Sequence, residues 1–146
     1  MAELGHVVFY VRELERSVKF YTDIVGLSLT GKIFSNRAAI LTGGRTHHEL
    51  LLIEVGDAEV PAIGRRIGLY HVGWKIGNSL SELKQKYRQL EAVEYPIDGM
   101  SDHTVSQSLY LHDPDGNEIE LYVDDPAVDW QSDQRWMEAP VRPLKL

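Results

Sequence analysis

The chain repeats one order of predicted elements, a strand, a helix and three further strands, in each of its halves. The first copy starts at His6, which opens the apolar run 6–11, and the second starts at His71, which opens the run 71–76. The two histidines are 71 − 6 = 65 residues apart, close to half of the 146-residue chain. A duplicated unit of this kind commonly pairs about a pseudo-twofold axis, and we expect such an axis to bring the two histidines together.

Hydrophobic residues at helical spacing predict one helix in each half. The first has an apolar stripe and then a glycine where a C-terminal cap is expected, at Leu14, Val18, Tyr21, Val25 and Gly26. The second opens with a capping box at 79–82 and has its own apolar stripe at Leu80, Leu83, Tyr87 and Leu90. Both helices therefore have one face that must be buried against other elements.

Three predicted strands follow each helix, at 28–34, 37–42 and 48–55 in the first half and at 93–97, 105–112 and 118–123 in the second. The turn 113–117 separates the last two strands. These patterns predict an α+β fold, with paired βαβββ modules that form a mixed or antiparallel, open, barrel-like sheet around a metal site. We expect a single domain over 1–146.

The predicted domain has three parts. Module one covers about 1–66, module two about 67–123, and a C-terminal tail 124–146. Two tryptophans in the tail rarely stay fully solvated, so we expect the tail to pack on the body or on a second subunit.

Composition excludes several classes of function. With no cysteine, the chain has no disulfide, no zinc–thiolate site and no cysteine nucleophile, which fits a cytoplasmic location. The formal charge of −7 argues against a nucleic-acid partner. No apolar run approaches the length of a membrane span, and the N-terminus does not have the pattern of a signal peptide. We therefore expect a small-molecule substrate and no membrane or nucleic acid.

The pattern points to a metal site formed by His6, His71 and Glu120. Two imidazoles and one carboxylate on one face of an ion leave positions open for substrate and oxygen, which suits Fe(II). Glu120 has apolar neighbours at 119 and 121, and its burial without a cation would be costly. An alternative stays open in which Glu118 and Glu120 are both solvated strand residues.

Over residues 4–123 the chain resembles the vicinal oxygen chelate superfamily, which includes glyoxalase I, bleomycin-resistance proteins and type I extradiol dioxygenases. Its second half is most similar to the extradiol ring-cleaving enzymes. The matching positions of their signature are His103, Leu109-Tyr110, Asp113-Pro114-Asp115-Gly116 and Glu120. Ser101 departs from the residues that the signature prefers, the segment from His48 to His71 is longer than in two-domain members, and we expect no counterpart of the extra N-terminal domain of those members.

The resemblance implies a single-domain extradiol dioxygenase of the catechol 2,3-type, which uses non-haem Fe(II) and O2 to open a catechol-type aromatic diol. Mn(II) suits the same ligands. His48 is implied as the catalytic acid and base, with Tyr110 and His103 as hydrogen-bonding groups at the diol oxygens. Phe9, Trp74 and Tyr122 are the predicted apolar walls. A homodimer or higher homo-oligomer is expected, because dimers are common in this family.

Three alternatives stay open at this point. His47 and Glu49 compete with His48 for the inward position, because a shift of one residue exchanges the two faces of a strand. If Glu49 pointed inward, the ligand set would be that of a glyoxalase I-like isomerase with Zn²⁺ or Ni²⁺. A non-catalytic bleomycin-resistance-type binder would need no metal, and a fosfomycin-type transferase would use the same three ligands.

Overall fold

A computed structural model describes residues 1–146, and the α+β class is confirmed. The first half contains β1 (Val7–Val11), α1 (Leu14–Lys19), a π-helix (Phe20–Val25), β2 (Ser28–Ile33), β3 (Ala38–Thr42) and β4 (Leu50–Glu54). The second contains β5 (His71–Gly77), α2 (Leu80–Ala92), β6 (Gly99–Asp102), β7 (Ser106–His112), β8 (Glu118–Asp124), a 3-10 helix (Arg135–Met137) and β9 (Arg142–Pro143). None of the helices has the length and apolar character needed to span a membrane.

The repeated βαβββ order is also present in the pairing of the strands. One sheet has the order β1-β4-β3-β2, and the other has β5-β8-β7-β6-β9, so their first four positions correspond. The pairs β1–β4 and β5–β8 are parallel, and the remaining pairs are antiparallel. Two compact units contain these sheets: unit 1 is 1–64 with 113–116, and unit 2 is 65–112 with 117–146. The single-domain description stays a prediction.

The predicted helix of unit 1 forms, and its whole apolar stripe is buried. Its second half is a π-helix and ends at Gly26, whose φ of +102° is readily adopted by glycine. The N-terminus has no cap from its own segment. Instead the Glu54 carboxylate accepts a hydrogen bond from the Leu14 N–H at 2.8 Å. This contact ties the helix to the end of β4.

The turn that starts at Asp113 belongs to unit 1 and is attached to its helix. The buried Tyr21 hydroxyl donates to the buried Asp113 carboxylate at 2.8 Å. The other Asp113 oxygen accepts from the Asp115 N–H, and Gly116 adopts a φ of +90°. Asp113 is therefore a structural anchor, as an aspartate at the start of such a turn commonly is.

The predicted capping box of α2 is confirmed. The Ser79 hydroxyl accepts from the Glu82 N–H at 3.4 Å, and the Glu82 carboxylate accepts from the Asn78 N–H at 2.8 Å. The predicted strand 93–97 is wrong. Glu94 has a φ of +54°, and the Tyr95 N–H donates to the Leu90 carbonyl, so this segment closes the helix. Its valine and tyrosine favour a strand, but the helix end determines the backbone there.

The tail packs on unit 2, as predicted. β9 pairs with β6, with Arg142 opposite Asp102 and Pro143 opposite Ser101. Trp136 is half-buried, whereas Trp130 is 57% exposed.

Candidate functional site

In unit 2, one face of the sheet carries the predicted polar residues. Strand register places Glu120 opposite both Gly73 and Tyr110, and places His71 two residues before Gly73 on the same face. Successive side chains of a strand point to opposite faces, so the fully buried Ile119 and Leu121 lie on the other side. The polar face is therefore built by three neighbouring strands, β5, β8 and β7.

Glu120 is at the centre of this face. Its Oε2 lies 3.1 Å from Nε2 of His71, and its Oε1 accepts hydrogen bonds from the Ser108 hydroxyl at 2.5 Å and the Tyr110 hydroxyl at 3.2 Å. The Glu120 side chain is only 15% exposed. Two hydroxyl donors and an imidazole thus offset part of the cost of removing a carboxylate from water.

Tyr110 links Glu120 to His103. The Tyr110 oxygen lies 2.7 Å from Nε2 of His103. Because the single Tyr110 proton is directed to Glu120, this oxygen accepts from the His103 N–H. Burial, and then the Glu120 carboxylate, raise the pKa of Tyr110 to about 12. The phenol is therefore a hydrogen-bond donor at neutral pH.

The His71–Glu120 pair fits a divalent cation in its donor chemistry. An imidazole nitrogen and a carboxylate oxygen face one another, and both are ligands for Fe, Mn or Zn. The second ring nitrogen of His71, Nδ1, is buried and has no hydrogen-bond partner. Gly73 leaves room beside the carboxylate, since a Cβ there would lie 3.2 Å from Glu120 Oε2. The donor chemistry of this pair therefore suits two of the three predicted ligands, and their binding of a metal stays a prediction.

In unit 1, His6 and His48 lie side by side. His6 immediately precedes β1, and its ring centroid is 4.6 Å from that of His48. Nδ1 of His48 is in contact with Nδ1 of the exposed His47. Burial, and then the neighbouring His47 and His6, lower the pKa of His48. His48 is therefore a neutral imidazole near pH 7.

Glu49 is directed to a turn. Its carboxylate accepts hydrogen bonds from the backbone N–H groups of Gly43, Arg45 and Thr46 and from the Thr42 hydroxyl. Burial opposes ionisation, but these hydrogen bonds outweigh it and lower the pKa of Glu49. The same contacts explain why β4 begins at Leu50 and not at residue 48 as predicted. They account for both carboxylate oxygens within the turn.

The predicted residues thus form two separate groups of contacts. His71, Glu120, Tyr110 and His103 meet in unit 2, and His6 meets His48 in unit 1. No three histidine, cysteine, aspartate or glutamate side chains form a cluster that could hold a metal ion. The three-ligand site of His6, His71 and Glu120 stays a prediction.

Two of the predicted walls are wrong. Phe9 is buried against Tyr21 in the core of unit 1, and Trp74 alternates with Gly73, which places it on the face opposite Glu120. Tyr122 shares the face of Glu120. Sequence reasoning also missed Ser108, although its position two residues before Tyr110 on a predicted strand placed it on the same face.

Comparison with known proteins relates the chain to one family. Residues 3–121 match the Glyoxalase/Bleomycin resistance protein/Dioxygenase superfamily. The chain is 37% identical over 132 residues to Catechol-2,3-dioxygenase of Bacillus subtilis (strain 168). This match covers 90% of this chain and 45% of that protein. It is 30% identical over 131 residues to Biphenyl-2,3-diol 1,2-dioxygenase 3 of Rhodococcus globerulus. This second match covers 88% of this chain and 67% of that protein.

The fold agrees with a solved structure of low sequence identity. A glyoxalase/dioxygenase from Nostoc punctiforme has a TM-score of 0.73 at 18% identity, over 84% of this chain and 90% of that one. This similarity shows the fold alone. The chain spans less than half the length of the B. subtilis relative and about two thirds of the Rhodococcus one.

Proposed function

The chain belongs to the Glyoxalase/Bleomycin resistance protein/Dioxygenase superfamily, and we propose that within it the protein is an extradiol dioxygenase that cleaves a catechol-type aromatic diol with O2. The observation that carries this proposal is the hydrogen-bonded series His103–Tyr110–Glu120 beside His71. It is supported by relatives named as dioxygenases of catechol and biphenyl-2,3-diol.

His6, His71 and Glu120 would hold the metal, and Fe(II) is the proposed ion. When bound, a ferrous ion would bring the diol and O2 together and transfer electron density from one to the other, so that no separate reductant is required. Two neutral imidazoles and one carboxylate leave one net positive charge, which favours an ionised diol. Mn(II) would suit the same donors.

Tyr110 and His103 would position the diol oxygens. The Tyr110 phenol is protonated at neutral pH and so can donate a hydrogen bond to an ionised oxygen of the substrate. His103 donates to the Tyr110 oxygen and thereby keeps the phenol proton directed away from itself. The Tyr110 proton, which is directed to Glu120 in this structure, would turn to the substrate oxygen while the contact with His103 is kept.

His48 would transfer protons. A neutral imidazole can accept a proton from a diol hydroxyl and return it later in the cycle. The lowered pKa of His48 favours the accepting form, and its neighbour Glu49 is held in the turn by four hydrogen bonds. This arrangement supports a histidine at this position, and not a carboxylate that serves as a fourth ligand, and so favours a dioxygenase over a glyoxalase I-like isomerase.

Anaerobic loading with Fe(II), followed by a panel of catechols in air, tests the proposal. We expect O2 uptake equal to the diol consumed and a coloured ring-opened semialdehyde. His48→Ala should lower kcat by about 10²–10⁴-fold, as loss of a general acid or base commonly does. His112→Ala, at an exposed histidine paired with Asp98, is the control and should be active.

Conversion of a glutathione hemithioacetal with Zn²⁺ or Ni²⁺, without turnover of any catechol, would instead establish the isomerase. A His48→Ala variant that keeps full turnover would remove His48 from the mechanism.

A further inference from the structure

We propose that Glu118 is a positioning residue for His71: it accepts the Nδ1–H of the imidazole and thereby presents Nε2 to the metal. This inference rests on the proposed function, because it concerns the histidine that would bind the ion. It assigns a role to a carboxylate that the sequence alone allowed to be a solvated strand residue.

The strand register brings the two residues together. His71 is paired directly with Glu118 in the parallel β5–β8 ladder, while Glu120 is paired with Gly73. The His71 ring therefore has a carboxylate on each side. Its Nε2 lies 3.1 Å from Glu120 Oε2, and its Nδ1 lies 3.9 Å from Glu118 Oε1. The side chains of His71 and Glu118 are only 25% and 20% exposed.

The buried Nδ1 atom needs an acceptor once a metal is present. A ligating imidazole is neutral, so one ring nitrogen binds the ion and the other carries the proton. Nδ1 of His71 is buried with no hydrogen-bond partner, and buried polar atoms are rarely left in that state. If Nε2 bound a metal, Nδ1 would carry the ring proton, and a small rotation of the His71 or Glu118 side chain would bring Glu118 Oε1, now 3.9 Å away, within hydrogen-bond distance.

Tyr70 lies next to the His71–Glu118 pair. Its ring centroid is 4.6 Å from that of His71, and the neighbouring Glu118 carboxylate, followed by burial, raises the pKa of the Tyr70 hydroxyl. Tyr70 immediately precedes β5 and so is covalently adjacent to His71. A carboxylate partner such as Glu118 commonly fixes the ring orientation of a metal-binding histidine.

Metal affinity and the state of one proton test this role without turnover. Co²⁺ affinity would be measured by chelator competition for the wild type, Glu118→Gln and Glu118→Leu. We expect Glu118→Leu to weaken binding by about 10–100-fold, with a smaller loss for Glu118→Gln because its amide oxygen still accepts a hydrogen bond. Asp124→Asn is the matched control, since Asp124 lies on the same strand and pairs with Lys75.

In Zn²⁺-loaded protein, the His71 Nδ1 proton should give a slowly exchanging NMR signal in the wild type and Asp124→Asn, and no such signal in Glu118→Leu. Wild-type affinity together with a protected Nδ1 proton in Glu118→Leu would overturn the proposal, as would a wild type that binds no Co²⁺. A Glu118-dependent affinity in a protein that leaves every catechol unchanged would support Glu118 and overturn only the dioxygenase.

Discussion

At the scale of single residues, Gly73 controls the space around Glu120. It is exposed and has no conformational requirement for glycine, since its φ is not positive. Its role is steric: an added Cβ would lie 3.2 Å from Glu120 Oε2 and 3.4 Å from the Tyr122 ring. The carboxylate would then have to move by a few tenths of an ångström, away from the position that faces His71.

Gly73→Ala should therefore weaken binding of Co²⁺ by about tenfold, because small displacements of the groups around a metal have effects of this order. The free energy of unfolding should change by no more than about 0.5 kcal/mol. Chelator competition and urea unfolding would measure the two quantities. Gly99→Ala is the control. Gly99 lies in the same sheet, and a Cβ there would meet no atom within 4 Å. Equal affinities for both variants would contradict the steric role of Gly73.

Glu49 makes a prediction about pH. Its four hydrogen bonds lower its pKa below the ordinary value of 4.5, so they stabilise the fold at a pH above that value and are lost as the pH falls through the lower, folded-state pKa. Glu49→Gln should destabilise the protein at pH 7, and the difference from the wild type should shrink below about pH 4.5. Urea unfolding at several pH values measures this.

The exposed change Glu59→Gln controls for the loss of one charge in unit 1. A stability difference for Glu49→Gln that is the same at pH 3.5 and pH 7 would contradict the assignment of the carboxylate to the turn.

The residue scale also shows how far sequence reasoning reaches. The signature led to His103, Tyr110 and Glu120. The Tyr110–Glu120 contact follows from strand register, whereas the contact of His103 with Tyr110 comes from the connection after β6. The sequence left His48 and Glu49 as rivals, because side-chain hydrogen bonds to a turn are not visible in hydrophobic periodicity.

At the scale of elements, the helix of unit 1 depends on two contacts from distant parts of the chain. Glu54 caps its start, and Asp113 binds Tyr21 in its second half. The apolar stripe and Gly26 predicted this helix correctly, since both are local signals. The π-helix and the cap from Glu54 were not predicted, because they depend on contacts made only after the chain has folded.

Tyr21→Phe should lower the free energy of unfolding by about 1–3 kcal/mol, because it removes a buried hydrogen bond to a carboxylate while the ring stays in place. Tyr10→Phe, at a tyrosine that is 72% exposed, should change stability by less than about 0.5 kcal/mol. Urea unfolding compares them. Equal stabilities of the two variants would mean that the contact with Asp113 does not anchor the turn.

At the scale of the whole molecule, the duplication explains most of what was predictable. The first four positions of the two sheets correspond, with His6 immediately before β1 and His71 as the first residue of β5. β9 was not predicted, because two residues are too short for a periodic pattern. The closure of α2 at 93–95 was also missed, because Val93 and Tyr95 have strand-forming side chains although they follow a helix end.

The proposal that His6, His71 and Glu120 bind a single metal ion can be tested directly. Anaerobic equilibrium dialysis with Fe(II), followed by metal analysis, measures this directly for the wild type, His6→Ala, His71→Ala and the His112→Ala control. We predict about one ion per chain in the wild type and control, and nearly none in either of the other variants, because each removes a ligand of the same ion. Retention of wild-type iron content in His6→Ala would contradict the claim.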